Sequence, residues 1–173
     1  QYGTSVVYPA SAMGSHVSAV PNHQVGRITS FATRGHVAMS GNFGYELDLT
    51  RLTEEEKQEV RDQVSQYKEL RELIQFGDFY RLLSPFEGNE TAWMFVSADQ
   101  SEAFAGYFKV LAEPNPPLRR FKLQGLHPER QYRMSINGTA EGLYYGDELM
   151  YHGIVLEERY GDFQSTLFSF RAE

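Results

Sequence analysis

In "ELIQFGDFYRLL", residues 72–83, the hydrophobic repeat of the chain changes its period. Up to Gly77 the apolar residues recur at helical spacing. Beyond it they tighten toward every second position, so a helix gives way to strands within a few residues.

Working back from Gly77, Thr53 opens Thr-Glu-Glu-Glu. The Thr53 hydroxyl and the Glu56 carboxylate fit a capping box, and three carboxylates crowd the first turn, where the helix dipole is positive. Leu52 precedes the cap. Val60, Val64, Tyr67, Leu70 and Ile74 then form one apolar stripe on a charged background. The pattern predicts a helix over 53–75, with Gly77 as its stop.

Working forward, the predicted strands are Phe79–Leu83, Ala92–Ser97, Ala103–Leu111, Arg119–Leu123, Gln131–Ile136 and Ser165–Arg171. Tyr132, Met134 and Ile136 alternate with Arg133 and Ser135, the mark of a strand with one buried face. Gly88-Asn89, Asn137-Gly138, Gly146-Asp147 and Gly161-Asp162 supply turn chemistry, and Pro114-Asn-Pro-Pro117 is a stiff connector. Many short strands with such turns read as an antiparallel β-sandwich over 78–173.

The front of the chain, 1–77, has a different pattern. Ser5-Val6-Val7-Tyr8 reads as a short buried strand stopped by Pro9. His36-Val-Ala-Met-Ser40 reads as a second, ended by Gly41-Asn42. Between them Met13–Arg27 keeps neither period and gathers His16, Asn22, His23 and Arg27, the composition of an active-site rim. Two strands and one long helix do not close an α/β domain, since a (β/α)8 barrel takes about 250 residues. They would suit the last strands and helix of such a barrel, with two parallel strands and a front that lies outside this sequence. The expected fold class is therefore an α/β fragment followed by an all-β part.

Composition narrows the function classes. With 16 basic against 23 acidic residues and a net charge of −7, the chain has no basic surface to track a nucleic acid. No apolar run approaches a membrane span. The absence of cysteine excludes a disulfide scaffold and fits a cytoplasmic protein.

Five stretches taken in order are QYGTSVVYP (1–9), MGSHVSAVPNHQVGR (13–27), GNFGYELDLTRLTEEE (41–56), FGDFYRLLSPFEGNETAWMFVS (76–97) and LAEPNPPLRRFKLQGL (111–126). Together they resemble the C-terminal part of bacterial α-galactosidases of glycoside hydrolase family thirty-six. The resemblance implies a three-part enzyme, often tetrameric, in which this chain supplies the end of the catalytic barrel and the whole C-terminal sandwich. It implies a retaining enzyme that releases terminal α-1,6-linked galactose from melibiose, raffinose and stachyose, with no metal and no cofactor. The family's nucleophile lies in a Lys-Trp-Asp run and its acid/base in an Asp-rich run before the segment matching Gln1. Neither run occurs here, since the one tryptophan, Trp93, stands in Ala-Trp-Met. No catalytic residue is therefore expected within the 173 residues, and the isolated chain is expected to be inactive.

The candidate residues that remain are Met13, His16, Asn22 and His23, as pocket rim or support behind it. The competing reading is that they satisfy buried backbone and pack the loop. His16, His23 and His36 lack a diagnostic zinc spacing. Glu46 and Asp48 are read as orienting the loop before the helix rather than as a catalytic pair. A rival class is a non-catalytic carbohydrate-binding or subunit-packing module. It would present an aromatic platform drawn from Trp93, Tyr107, Tyr132, Tyr144, Tyr145 and Tyr151, with Trp93 inside an apolar run and Tyr144-Tyr145 the better exposed.

Overall fold

The computed structural model describes residues 1–157 and 159–173. Its contacts divide the chain into two units, Gln1–Phe76 and Gly77–Glu173, each described by itself.

The first unit opens with α1 (Tyr2–Ser5), a single helical turn. The strand expected at Ser5–Tyr8 is not formed. Val7 and Tyr8 both donate their N–H to the Thr4 carbonyl, which coils the backbone, and Val6, Val7 and Tyr8 stand exposed while Ser5 is buried. β1 (Gly14–Ser18) follows, inside the stretch read as aperiodic. Ser15 and Val17 are fully buried and His16 is exposed, so a period of two is present with a serine in an apolar place.

The second expected strand, His36–Ser40, is also overturned. Its first three residues end α2 (Phe31–Ala38). The Ser30 hydroxyl caps this helix by accepting from the Thr33 N–H at 3.0 Å. Phe31, Gly35 and Ala38 then fall on one buried face, a helical repeat carried by two small residues. Met39 is fully buried, so it is not the exposed side chain that a bared strand would present.

β2 (Asn42–Glu46) pairs with β1 in parallel, Gly14 opposite Asn42 and His16 opposite Gly44. A parallel pair is thus present as expected, built from other residues, with α2 as the crossover between its strands. Val17, Phe31 and Ala38 form the small core of this unit, with Phe43, Tyr45, Leu47, Leu52 and Val60 packed on it.

α3 (Glu54–Phe76) begins as its sequence requires. The Glu56 N–H donates to the Thr53 hydroxyl at 3.2 Å, and the Thr53 N–H donates to the Glu56 carboxylate at 3.0 Å. Tyr67 and Ile74 of the apolar stripe are buried, with Gln63 and Leu73 beside them. Polar contacts fix the helix against β2. The Tyr45 hydroxyl donates to Gln63 Oε1 at 2.9 Å, the Tyr67 hydroxyl to the Gly41 carbonyl at 3.0 Å, and Gln75 Nε2 to Asn42 Oδ1 at 3.1 Å.

The second unit is built on a six-stranded antiparallel sheet in the order β3-β4-β5-β10-β7-β8. Its strands are β3 (Asp78–Leu83), β4 (Glu90–Val96), β5 (Glu102–Lys109), β7 (Gln131–Ile136), β8 (Thr139–Tyr145) and β10 (Gln164–Ala172). A two-stranded antiparallel sheet, β6 (Arg120–Phe121) with β9 (Ile154–Val155), forms a second layer. The layers share one core in which Met94, Ala105, Tyr132, Phe168 and Phe170 of the large sheet meet Phe121, Leu123 and Leu149. Trp93 is buried and rings with Phe95, Phe104 and Phe108 at centroid distances of 5.5–5.7 Å. The strands expected in this region all occur, Arg119–Leu123 only as two residues.

Within the second unit, two strands escaped the sequence reading. β8 follows the Asn137-Gly138 turn, where both residues take positive φ (47° and 84°), the geometry of a tight hairpin. Its residues are exposed or half-buried, so the alternation is weak. The two-residue β9 comes after a short π-helical turn, Glu148–His152.

Candidate functional site

Parallel strands have their C-terminal ends on one edge, and in open α/β architectures that edge carries function. Here the edge is formed by Ser18 and Glu46, and the Ala19 N–H extends the pairing by donating to the Glu46 carbonyl at 3.3 Å. The Arg34 guanidinium braces it from α2, donating to the Ser18 carbonyl while lying 4.8 Å from the Phe31 ring centroid. Burial lowers the Arg34 pKa, and Glu56 and Glu59 oppose that shift.

The loop after Ser18 contains a cis peptide at Val20-Pro21 and then a closed turn. Asn22 holds this turn from within. Its N–H donates to the Arg27 carbonyl at 2.9 Å, and its carbonyl accepts from the Gly26 N–H at 2.8 Å. Its side-chain Oδ1 accepts from the Gln24 and Val25 N–H groups at 3.0 and 3.1 Å. The Asn22 amide oxygen is therefore committed to shaping the loop. His23, at the turn's exposed crest, has its side chain turned to solvent.

His16 and Met13 sit elsewhere. His16 lies mid-strand with its ring against Gly14 and Gly44. A Cβ on Gly44 would come within 3.0 Å of His16 Cδ2, so this glycine leaves the imidazole its seat. Met13 precedes β1, at the opposite end from His23, with its side chain buried and its carbonyl accepting from the Asn42 N–H at 2.7 Å. The structure therefore places Asn22 and His23 in the loop after the C-terminal end of β1, His16 within that strand and Met13 before its other end.

Of the two acidic residues at this edge, Asp48 is spent on structure. It caps a 3-10 turn at Leu49–Arg51, accepting from the Thr50 N–H and hydroxyl at 3.0 and 2.6 Å and pairing with Arg51 at 3.3 Å. Those Thr50 bonds lower its pKa. Glu46 is exposed. Exposed imidazole and carboxylate groups here can donate and accept hydrogen bonds to a polyhydroxyl ligand. Among the described residues, no three His, Cys, Asp or Glu side chains are gathered to hold a metal ion.

In the second unit, Trp93, Tyr107 and Tyr132 are buried, while Tyr144 packs on the core. Of the six aromatics considered as a platform, Tyr145 and Tyr151 are exposed.

Residues 1–77 match the melibiase family model, and residues 90–170 match the model of the glycosyl hydrolase family 36 C-terminal domain. The chain is 64% identical over 172 residues to alpha-galactosidase AgaA of Geobacillus stearothermophilus, and 46% identical over 172 residues to alpha-galactosidase Mel36A of Lactobacillus acidophilus. Each alignment covers 99% of this chain and 23% of the relative, so the chain spans about a quarter of their length. The crystal structure of AgaA superposes with a TM-score of 0.95 at 64% identity, over 100% of this chain and 24% of that one. A structure of AgaA in complex with raffinose also gives 0.95, at 63% identity and the same coverage.

Proposed function

The chain belongs to glycoside hydrolase family thirty-six, and from that premise we propose that it is the C-terminal part of a retaining α-galactosidase. One observation carries this reading. The similarity to AgaA runs through both units at 64% identity, with no part of the chain left over.

In this proposal residues 1–77 are the last two strands and last helix of a (β/α)8 barrel, and 78–173 are the C-terminal sandwich. The intact enzyme releases terminal α-1,6-linked galactose from melibiose, raffinose and stachyose, the class of sugar found in the AgaA complexes with raffinose and stachyose. It acts in the cytoplasm as a homo-oligomer, a tetramer, without metal or cofactor, and touches neither nucleic acid nor membrane. Among the described residues no helix is long and apolar enough to cross a membrane.

Retaining hydrolysis needs two carboxylates about 5–5.5 Å apart, one to attack the anomeric carbon and one to protonate the leaving oxygen and then activate water. Both come from barrel strands outside these residues. The contribution of this chain is to close the barrel and to wall the pocket at the edge formed by Ser18 and Glu46, with His16, Asn22 and His23 at or behind the rim and Met13 supporting β1.

The test is hydrolysis of an aryl α-galactoside by the purified chain beside intact AgaA. The expected result is no turnover by the chain. Turnover within about a hundredfold of the intact enzyme would place both carboxylates inside these residues and sink the proposal.

A further inference from the structure

The second unit holds a cleft that the barrel reading does not use. It has a volume of about 320 Å³ and opens between the end of β5, the Pro114–Pro117 connector and the segment after β9. That volume falls at the lower end of the range for small-molecule sites.

One wall is a fixed polar array. Arg119 lies between two carboxylates, with Nη1 2.6 Å from Glu90 Oε2 and Nη2 2.6 Å from Glu113 Oε2. Asn89 Nδ2 donates to the other Glu113 oxygen at 2.9 Å, and the Tyr107 hydroxyl donates to the other Glu90 oxygen. Burial, then the bond to Glu90, raises the Tyr107 pKa, so this hydroxyl stays protonated as a donor. A carboxylate offers about four lone-pair sites and a guanidinium five N–H donors. The array, once internally satisfied, therefore still has acceptors and donors for an incoming hydroxyl. Because the groups brace one another, ordering them on binding costs little.

The lining also has apolar members. Pro116, Pro117, Leu118 and Val155 are among them, and Leu118 and Val155 are exposed. Among the described residues of the lining, the acidic Glu90, Glu113 and Glu157 stand beside the basic Lys109, Arg119 and Arg159. Paired donors and acceptors beside a C–H-compatible apolar surface match a polyhydroxylated ring.

We propose that this cleft is a saccharide-binding site in the sandwich, separate from the edge formed by β1 and β2. It stands whether or not the barrel assignment holds, because every lining residue belongs to the second unit. Saturation-transfer NMR on the 173-residue chain with raffinose tests it, with inorganic phosphate added as competitor. The expected result is saturable transfer to raffinose that phosphate does not displace. Glu113→Ala, which removes one of the two carboxylates on Arg119 and the acceptor of Asn89, weakens binding by about tenfold, the scale of one charge-assisted contact. Leu118→Asp, at an exposed apolar position of the lining, weakens it similarly with little risk to folding. Tyr145→Ala, on the exposed tyrosine outside the cleft, leaves it unchanged. The absence of saturable transfer, displacement by phosphate, or equal binding by folded Glu113→Ala and Leu118→Asp would each overturn the proposal. So would loss of binding in Tyr145→Ala.

Discussion

Gly41 shows how much can hang on one missing methyl. A Cβ there would sit 2.6 Å from the Met13 carbonyl oxygen, a backbone atom that also accepts the first pairing bond of β2 from Asn42. Neither side can give way without unpairing the strands. Gly41→Ala is therefore expected to destabilise the first unit by about 1–3 kcal/mol, although alanine narrows the unfolded ensemble. Denaturant unfolding of the variant beside the parent chain checks this, and an unchanged midpoint would refute it. Nothing in the local sequence marks Gly41 as more than a turn residue. The contact arises only when two strands distant in the chain pair. The same holds for His16, whose histidine is legible but whose seat is made by Gly44 across the ladder.

Asp99 gives a pH-dependent test at the same scale. Bonds from the Ser97 and Ser101 hydroxyls, 2.7 Å each, and from the Ser101 N–H at 3.0 Å pull its pKa from 3.8 down to about 2. A depressed carboxylate stabilises the folded state above its unfolded pKa and loses that contribution as pH falls through the folded value. The β4–β5 turn should therefore weaken between about pH 4 and pH 2, and Asp99→Asn should remove that part of the acid dependence. A direct NMR titration of the Asp99 carboxyl that returned an ordinary value would contradict the bonding described. Tyr45 behaves oppositely at the alkaline end. Burial, then Glu59, raises its pKa to about 12, so its contribution holds below pH 10 and fades as pH rises from 10 to 12.

Among the elements, legibility followed how much of the signal was carried by large side chains and local caps. α3 was readable from end to end because its capping box and its aliphatic stripe are both local. Thr53→Ala should cost about 1 kcal/mol, measured by thermal or denaturant unfolding, because it strips one acceptor from the first turn. The strands of the large sheet other than β8 were readable from their aromatic and branched residues. α2 was not, because its buried face is Phe31, Gly35 and Ala38, and its last turn, His36-Val37-Ala38, resembles a strand when read alone. β1 was missed for a related reason: a buried Ser15, with Val17 as its partner, makes a weak alternation. Gly138 is a different case, since its φ of 84° closes the β7–β8 hairpin. Gly138→Ala should cost about 1–2 kcal/mol, the strain of a left-handed residue with a Cβ. An unchanged melting temperature would argue against that turn.

At the scale of the whole molecule, the first unit has a two-stranded parallel sheet, an unusual arrangement since such sheets are normally covered on both faces and longer. Val6, Val7, Val25 and Ile28 are exposed on the same unit. Parallel edges and apolar side chains left open recruit other chains. The isolated chain is expected to self-associate, seen as a concentration-dependent sedimentation coefficient, and a monomer at all concentrations would count against the barrel assignment. The resemblance carried by ordered stretches from Gln1 to Leu126 was enough to name the family from sequence, whereas Met13, His16, Asn22 and His23 were singled out only by composition. The decisive experiment exchanges the matching C-terminal quarter of AgaA for this chain and measures raffinose hydrolysis. A folded, soluble enzyme is expected, with kcat/KM within about tenfold of AgaA, a difference of about 1.4 kcal/mol in transition-state stabilisation. A folded chimera that binds raffinose yet does not hydrolyse it would contradict the account.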